Sequence, residues 1–161
     1  MQSPHMIFAH QTQLVTLANV SVGSLVLASG YDQSSVAALV CEFENEKCLL
    51  RVGQNCHVFQ DNFGSDLLDL GAAVAKFDPG SAASNDAFPR SGALLITAEG
   101  PGVFEAAGRI GSSGGYLTLL NGVRQHFYRS RGIPTFCRWE LGIVRDNEFV
   151  SVAIFDLTQD A

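Results

Sequence analysis

The chain predicts a mainly β domain, an antiparallel barrel or two-sheet sandwich built from hairpins, with one amphipathic α-helix over about residues 65–77. Three observations carry this expectation. Short apolar runs rich in Val, Leu, Ile and Phe recur along the chain and are cut by Gly, Asn and Asp. Several neighbouring runs are joined by tight turn signals, which favour antiparallel pairing. One stretch alone spaces its apolar residues as a helix does.

A length of 161 residues suits one domain over 1–161. At this size roughly 68–70% of the unfolded surface is buried on folding, enough for a core without metals or staples. Hydrophobic residues make up 47% of the chain and charged residues 16%, a balance that excludes a disordered chain. No apolar run reaches the roughly 18 residues of a membrane-spanning helix. The start, "MQSPHMIFAHQTQLVTL", lacks the basic segment and long apolar core of a secretory signal. Met6 is a second candidate start, which makes residues 1–5 a disordered or added leader. "NVS" at Asn19 matches a glycosylation acceptor, a chance match if the chain is not exported. The expected location is cytoplasmic.

The first strands are expected at 6–9, 13–20 and 23–29. The hairpin "SVAALVCEFENEKCLLRV" joins strands at 35–43 and 47–52 through an acidic tip at Glu44 to Glu46. Leu39, Cys41 and Phe43 share a face with Cys48, Leu50 and Val52. A turn centred between Glu44 and Asn45 places Cys41 opposite Cys48, within reach of a cross-strand disulfide. A turn centred one residue later makes them diagonal neighbours, and two small core residues is the plainer reading. A strand at 56–60 follows.

The helix is read from "SDLLDLGAAVAKFDPG". Ser65 is its cap, Asp66 and Asp69 suit the positive first turn, and Leu67, Leu70, Val74 and Phe77 form its apolar stripe. Pro79-Gly80 ends it, and 79–91 is a small, polar loop. Strands are then expected at 92–98, 102–110, 115–120, 123–129, 136–144 and 149–157, with a frayed tail at 158–161. Asn121-Gly122 signals a two-residue type I′ turn, setting Leu119 against Arg124 and Tyr116 against Phe127. In the last hairpin, a loop at Arg145 to Glu148 sets Val144 against Phe149, Leu141 against Val152 and Trp139 against Ile154. Cys137, Trp139, Leu141, Ile143, Val150, Val152 and Ile154 then share the buried face, with Arg138 and Glu140 outside.

Charge is unevenly placed. The chain carries a formal net charge of −6, yet "NGVRQHFYRSRGIP" gathers three arginines, a histidine and two aromatics. Arginine outnumbers lysine eight to two, and its planar guanidinium suits ion pairs and anion recognition. Alternation divides the group: Arg124, His126 and Tyr128 face one way, Phe127, Arg129 and Arg131 the other. The expected function is a non-enzymatic binding domain for a small anion or a protein partner. Its candidate residues are Arg124, His126, Tyr128, Arg129, Arg131 and Arg138. The bland alternative pairs these arginines with Glu140, Asp146, Glu148 and the acids of the tail. A sequence pI near 5 argues against nucleic acid. Self-association through an uncovered sheet edge is a further expectation, since few strands carry edge-guarding lysines or prolines.

An enzyme is the alternative class. "GSSGG" at Gly111 to Gly115 fits the pattern of a nucleophilic serine at Ser113, but that chemistry needs a helix next and "YLTLLNG" reads as a strand. Cys56 and His57 are adjacent on a strand and point apart, so no thiol–imidazole pair forms between them. The four cysteines match no zinc spacing and the four histidines are scattered, so no metal or cofactor is expected.

Overall fold

The computed structural model describes residues 13–29, 35–53, 57–59, 66–83, 89–106, 114–128 and 132–158. In chain order its strands are β1 (Gln13–Val15), β2 (Ser24–Ser29), β3 (Ser35–Phe43), β4 (Glu46–Arg51), β5 (His57–Phe59), β6 (Leu67–Ala72) and β7 (Val74–Phe77). They continue as β8 (Leu94–Thr97), β9 (Gly100–Ala106), β10 (Gly114–Leu119), β11 (Arg124–Tyr128), β12 (Thr135–Phe136), β13 (Arg138–Arg145) and β14 (Glu148–Asp156). Three antiparallel sheets result, ordered β1-β6-β2-β3-β4-β5, β11-β10-β9-β8-β12 and β14-β13-β7. Among the described residues no sheet closes into a barrel, and the architecture has one sheet more than a two-sheet sandwich.

The largest core lies where the three sheets meet. Leu25, Leu39, Leu50 and Leu70 come from the first sheet, Leu94 and Val103 from the second, and Trp139, Leu141 and Phe155 from the third. The first and second sheets also bury their other faces. Val26, Ala38, Val40, Leu49 and Leu67 pack beneath Val15 and Leu17, while Leu95, Phe104, Leu117 and Phe127 form a third cluster. Burial on both faces explains why these strands read as nearly continuous apolar runs.

The expected helix at 65–77 is instead two strands, β6 and β7, with Ser65 outside the described residues. β6 is an interior strand between β1 and β2, so both parities of its side chains are apolar. Leu67 enters one cluster while Leu68 and Leu70 pack into the other. Apolar residues three apart therefore reflect the two faces of a sheet. Leu70 is the extra residue of a bulge, since Val26 opposes Asp69 and Leu25 opposes Gly71. Gly71 has φ +108°, which no helix contains. Asp69 accepts a 2.9 Å hydrogen bond from the Gly71 amide, an Asx turn and not a helix-start contact. The chain then crosses to the third sheet, where β7 pairs with β13.

The expected 13–20 strand is shorter: β1 ends at Val15 and a 3-10 turn occupies Leu17–Asn19. The start of the 79–91 loop is pinned. Asp78 accepts a bond from the Gly80 amide, and the Ser81 hydroxyl accepts one from the Arg138 amide at 3.0 Å. The 6–9 strand lies outside the described residues.

Two registers also differ from expectation. Trp139 opposes Phe155 instead of Ile154, because a bulge follows the Gly142–Ser151 pair. Phe155 is buried and stacks on Trp139 with centroids 4.2 Å apart, whereas Ile154 is 66% exposed. Gly142 permits the bulge: a Cβ there would overlap the Val150 carbonyl and lie 2.8 Å from the Phe149 ring. The β10–β11 turn differs as well. Asn121 does not adopt positive φ, only Gly122 does, at +95°. The Gly122 amide bonds the Leu119 carbonyl and the Leu119 amide bonds the Val123 carbonyl, so the loop has three residues with Gly122 as the bulge. Thr118 therefore opposes Arg124, and Tyr116 opposes His126.

Candidate functional site

The revised β10–β11 register gathers side chains that the expected one separated. Tyr116, Thr118, Arg124 and His126 now share a face. Gly122 brings that hairpin against β3, where its carbonyl accepts a 2.8 Å bond from the Glu42 amide. Phe43, at the end of β3, meets the hairpin edge-on, 5.8 Å from Tyr116 and 5.4 Å from His126 between ring centroids.

Arg124 is 8% exposed. Its Nη1 lies 2.9 Å from Glu105 Oε2 on β9 and 3.3 Å from Thr118 Oγ1, and its guanidinium stacks 4.3 Å from the Tyr116 ring centre. A charge taken this far from water needs such partners. Arg124 is thus paired with an acid, but with Glu105 rather than with any of the acids expected.

The β3–β4 hairpin builds the other wall. Glu44 and Asn45 have φ of 51° and 66°, the two left-handed residues of a type I′ turn. The turn sets Phe43 opposite Glu46 and Cys41 opposite Cys48. The sulfurs are 3.1 Å apart and both cysteines are free thiols. Lys47 reaches the 3-10 turn at Leu17–Asn19, where its ammonium donates to the carbonyls of Leu17, Ala18 and Val20 at 3.3, 3.1 and 2.7 Å.

Between these walls is a cleft of about 660 Å³, lined by Leu17, Phe43, Val58 and Cys48 with Glu44, Glu46, Lys47 and Arg124. Its volume falls in the range of small-ligand sites. The hydrogen bond from Cys41 favours the thiolate of Cys48 and lowers its pKa to about 7; Arg124 acts in the same direction, against burial and Glu46. Cys41 is pushed upward by donating that bond, by burial and by the charge on Cys48. Cys48 therefore ionises first and Cys41 keeps its proton.

The other described candidates do not line the cleft. Tyr128 ends β11 at 73% exposure, and exposed His126 lies beside Tyr116. Arg138 belongs to the third sheet, where its Nη2 pairs with Asp78 Oδ2 at 2.9 Å. Arg129, Arg131, Ser113 and Cys56 lie outside the described residues. Among the described residues no three His, Cys, Asp or Glu side chains converge as metal ligands, and no helix is long and apolar enough to cross a membrane. No protein-family model, curated protein or solved structure matches the chain.

Proposed function

We propose that this domain is a non-enzymatic binding module whose cleft between the β3–β4 hairpin, β11 and the Leu17–Asn19 turn takes a small ligand with a cationic head and an apolar body. One observation carries this reading. Both cations of the cleft are already engaged, Arg124 by Glu105 and Lys47 by three carbonyls, while Glu44 and Glu46 on its rim have no partner among the described residues. The free charge is therefore negative, and Leu17, Phe43 and Val58 supply apolar surface. A simple anion, the ligand expected from the arginine count, would have to compete with Glu105.

Thermal unfolding with millimolar spermidine, phenethylamine or phosphate tests the reading. The amines are expected to raise the melting temperature, because a ligand of the native state stabilises it by about 2.7 kcal/mol at a hundred times its dissociation constant. Glu44→Gln with Glu46→Gln should abolish that rise. A shift with phosphate and none with either amine would reverse the assignment of charge.

A second reading, self-association, is favoured by β14. Among the described residues it is an edge strand, nine residues long with charges only at its two ends, Glu148 and Asp156, and it displays Ile154. Such an edge is a template for a second copy. Light scattering is expected to give a dimer mass that falls to the monomer in Ile154→Lys; a monomeric parent at high concentration would remove this reading.

A further inference from the structure

We propose that Cys41 and Cys48 form a reversible dithiol–disulfide couple, oxidised by a hydroperoxide that reaches Cys48 through the cleft. The site is separate in its chemistry from ligand binding and needs no ligand, so either reading can fail alone. Four features of the structure support it. The cysteines are directly opposed in the β3–β4 ladder, and their sulfurs are 3.1 Å apart with no atom between them to move aside. Bond formation at about 2.05 Å asks for an approach of roughly 1 Å. The two thiols differ in access: Cys48 lines the cleft, whereas Cys41 is wholly buried in the central core. The guanidinium of Arg124 lines the same cleft. This is the arrangement of an attacking thiol reached through a cleft, Cys48 at 6% exposure, and a fully buried resolving thiol behind it.

The chemistry balances. The Cys48 thiolate attacks one peroxide oxygen; an S–O bond forms, the O–O bond breaks, and the departing oxygen takes a proton to leave as water or an alcohol. Cys48 is then a sulfenic acid. The Cys41 sulfur attacks Cys48; an S–S bond forms, the S–O bond breaks, and the hydroxyl leaves as water with the Cys41 proton. Two thiols are oxidised and one hydroperoxide is reduced, and an external dithiol restores the starting state. The charged and titratable groups bearing on the pair are Arg124, Glu46 and Glu105.

The test treats the full chain with hydrogen peroxide, alkylates the remaining thiols and maps the peptides. A Cys41–Cys48 cross-link that dithiothreitol reverses is expected, with Cys41→Ala leaving Cys48 as a trapped sulfenic acid. Failure of the cross-link, or bonding through Cys56 or Cys137 instead, would overturn the proposal. Alkylation of the untreated native protein supplies a readout that a packing role would not move. Cys48 should react about tenfold or more faster than Cys41 at neutral pH, with a rate that climbs as pH rises through about 7, because the thiolate is the reacting form. Equal, slow labelling of both would also overturn the proposal.

Discussion

Gly122→Ala is expected to lower stability by about 3 kcal/mol, seen as a fall in the urea midpoint with an unchanged slope. Two costs add. Gly122 has φ +95°, and a side chain in left-handed backbone costs about 1–2 kcal/mol. A Cβ there would also overlap the Val22 side chain and lie 2.5 Å from the Gly23 nitrogen and 2.9 Å from the Val40 carbonyl. Backbone atoms of β3 and the β1–β2 connection cannot step aside, and forced packing adds about 1–3 kcal/mol. Gly71→Ala separates the two costs. Its φ is +108° but the space around it is open, so only the conformational cost of about 1–2 kcal/mol applies. Equal losses in the two variants would mean that the second sheet does not dock on the first through Gly122. The same docking forms the cleft, so Gly122→Ala should also abolish any thermal shift caused by an amine.

Arg124→Met is expected to cost about 2–4 kcal/mol, while Arg124→Met with Glu105→Leu should recover much of that loss. The single change strands Glu105, whose side chain is only 18% exposed, without its counter-charge. Removing one member of a buried pair typically costs about 3–5 kcal/mol; the residual exposure of Glu105 reduces it. The double change replaces a desolvated pair by apolar volume and leaves no orphan. Urea unfolding of the parent, both singles and the double closes the cycle, and purely additive losses would refute the coupling. Arg124→Met should also slow alkylation of Cys48 at neutral pH, since Arg124 favours the thiolate. That effect links the packing of the second sheet to the chemistry of the first.

Much of the strand content was legible from local pattern. The stretches expected at 23–29, 35–43, 47–52, 92–98, 115–120, 123–129 and 149–157 coincide with β2, β3, β4, β8, β10, β11 and β14 to within a few residues. Their boundaries follow from Gly, Asn and Asp, which lower the cost of leaving extended backbone. The pattern failed at β6, where a strand buried on both faces imitates the spacing of a helix. Gly71 and the Asp69 side chain were the available signals against a helix. A mid-strand glycine likewise marked the bulge at Gly142 that turns Phe155 inward.

The candidate site was only partly readable. Arg124, His126 and Tyr128 do share a face, as alternation requires, but Arg138 belongs to another sheet and pairs with Asp78. Phe43, Lys47 and Leu17 carried no signal of their own, since each joins the cleft through an element distant in the chain. The Cys41–Cys48 opposition was one of two registers open to the hairpin. Positive φ at both Glu44 and Asn45 selected it.

The order of residues alone determined which segments extend and which faces they hide, because burial in a strand repeats every two residues and each run carries that record locally. Only the folded chain decided which acid neutralises Arg124, and which segments wall the cleft over Cys48. Those outcomes depend on close approach between segments far apart in the chain. Such distances are set by the packing of three sheets against one another, and no local stretch encodes them.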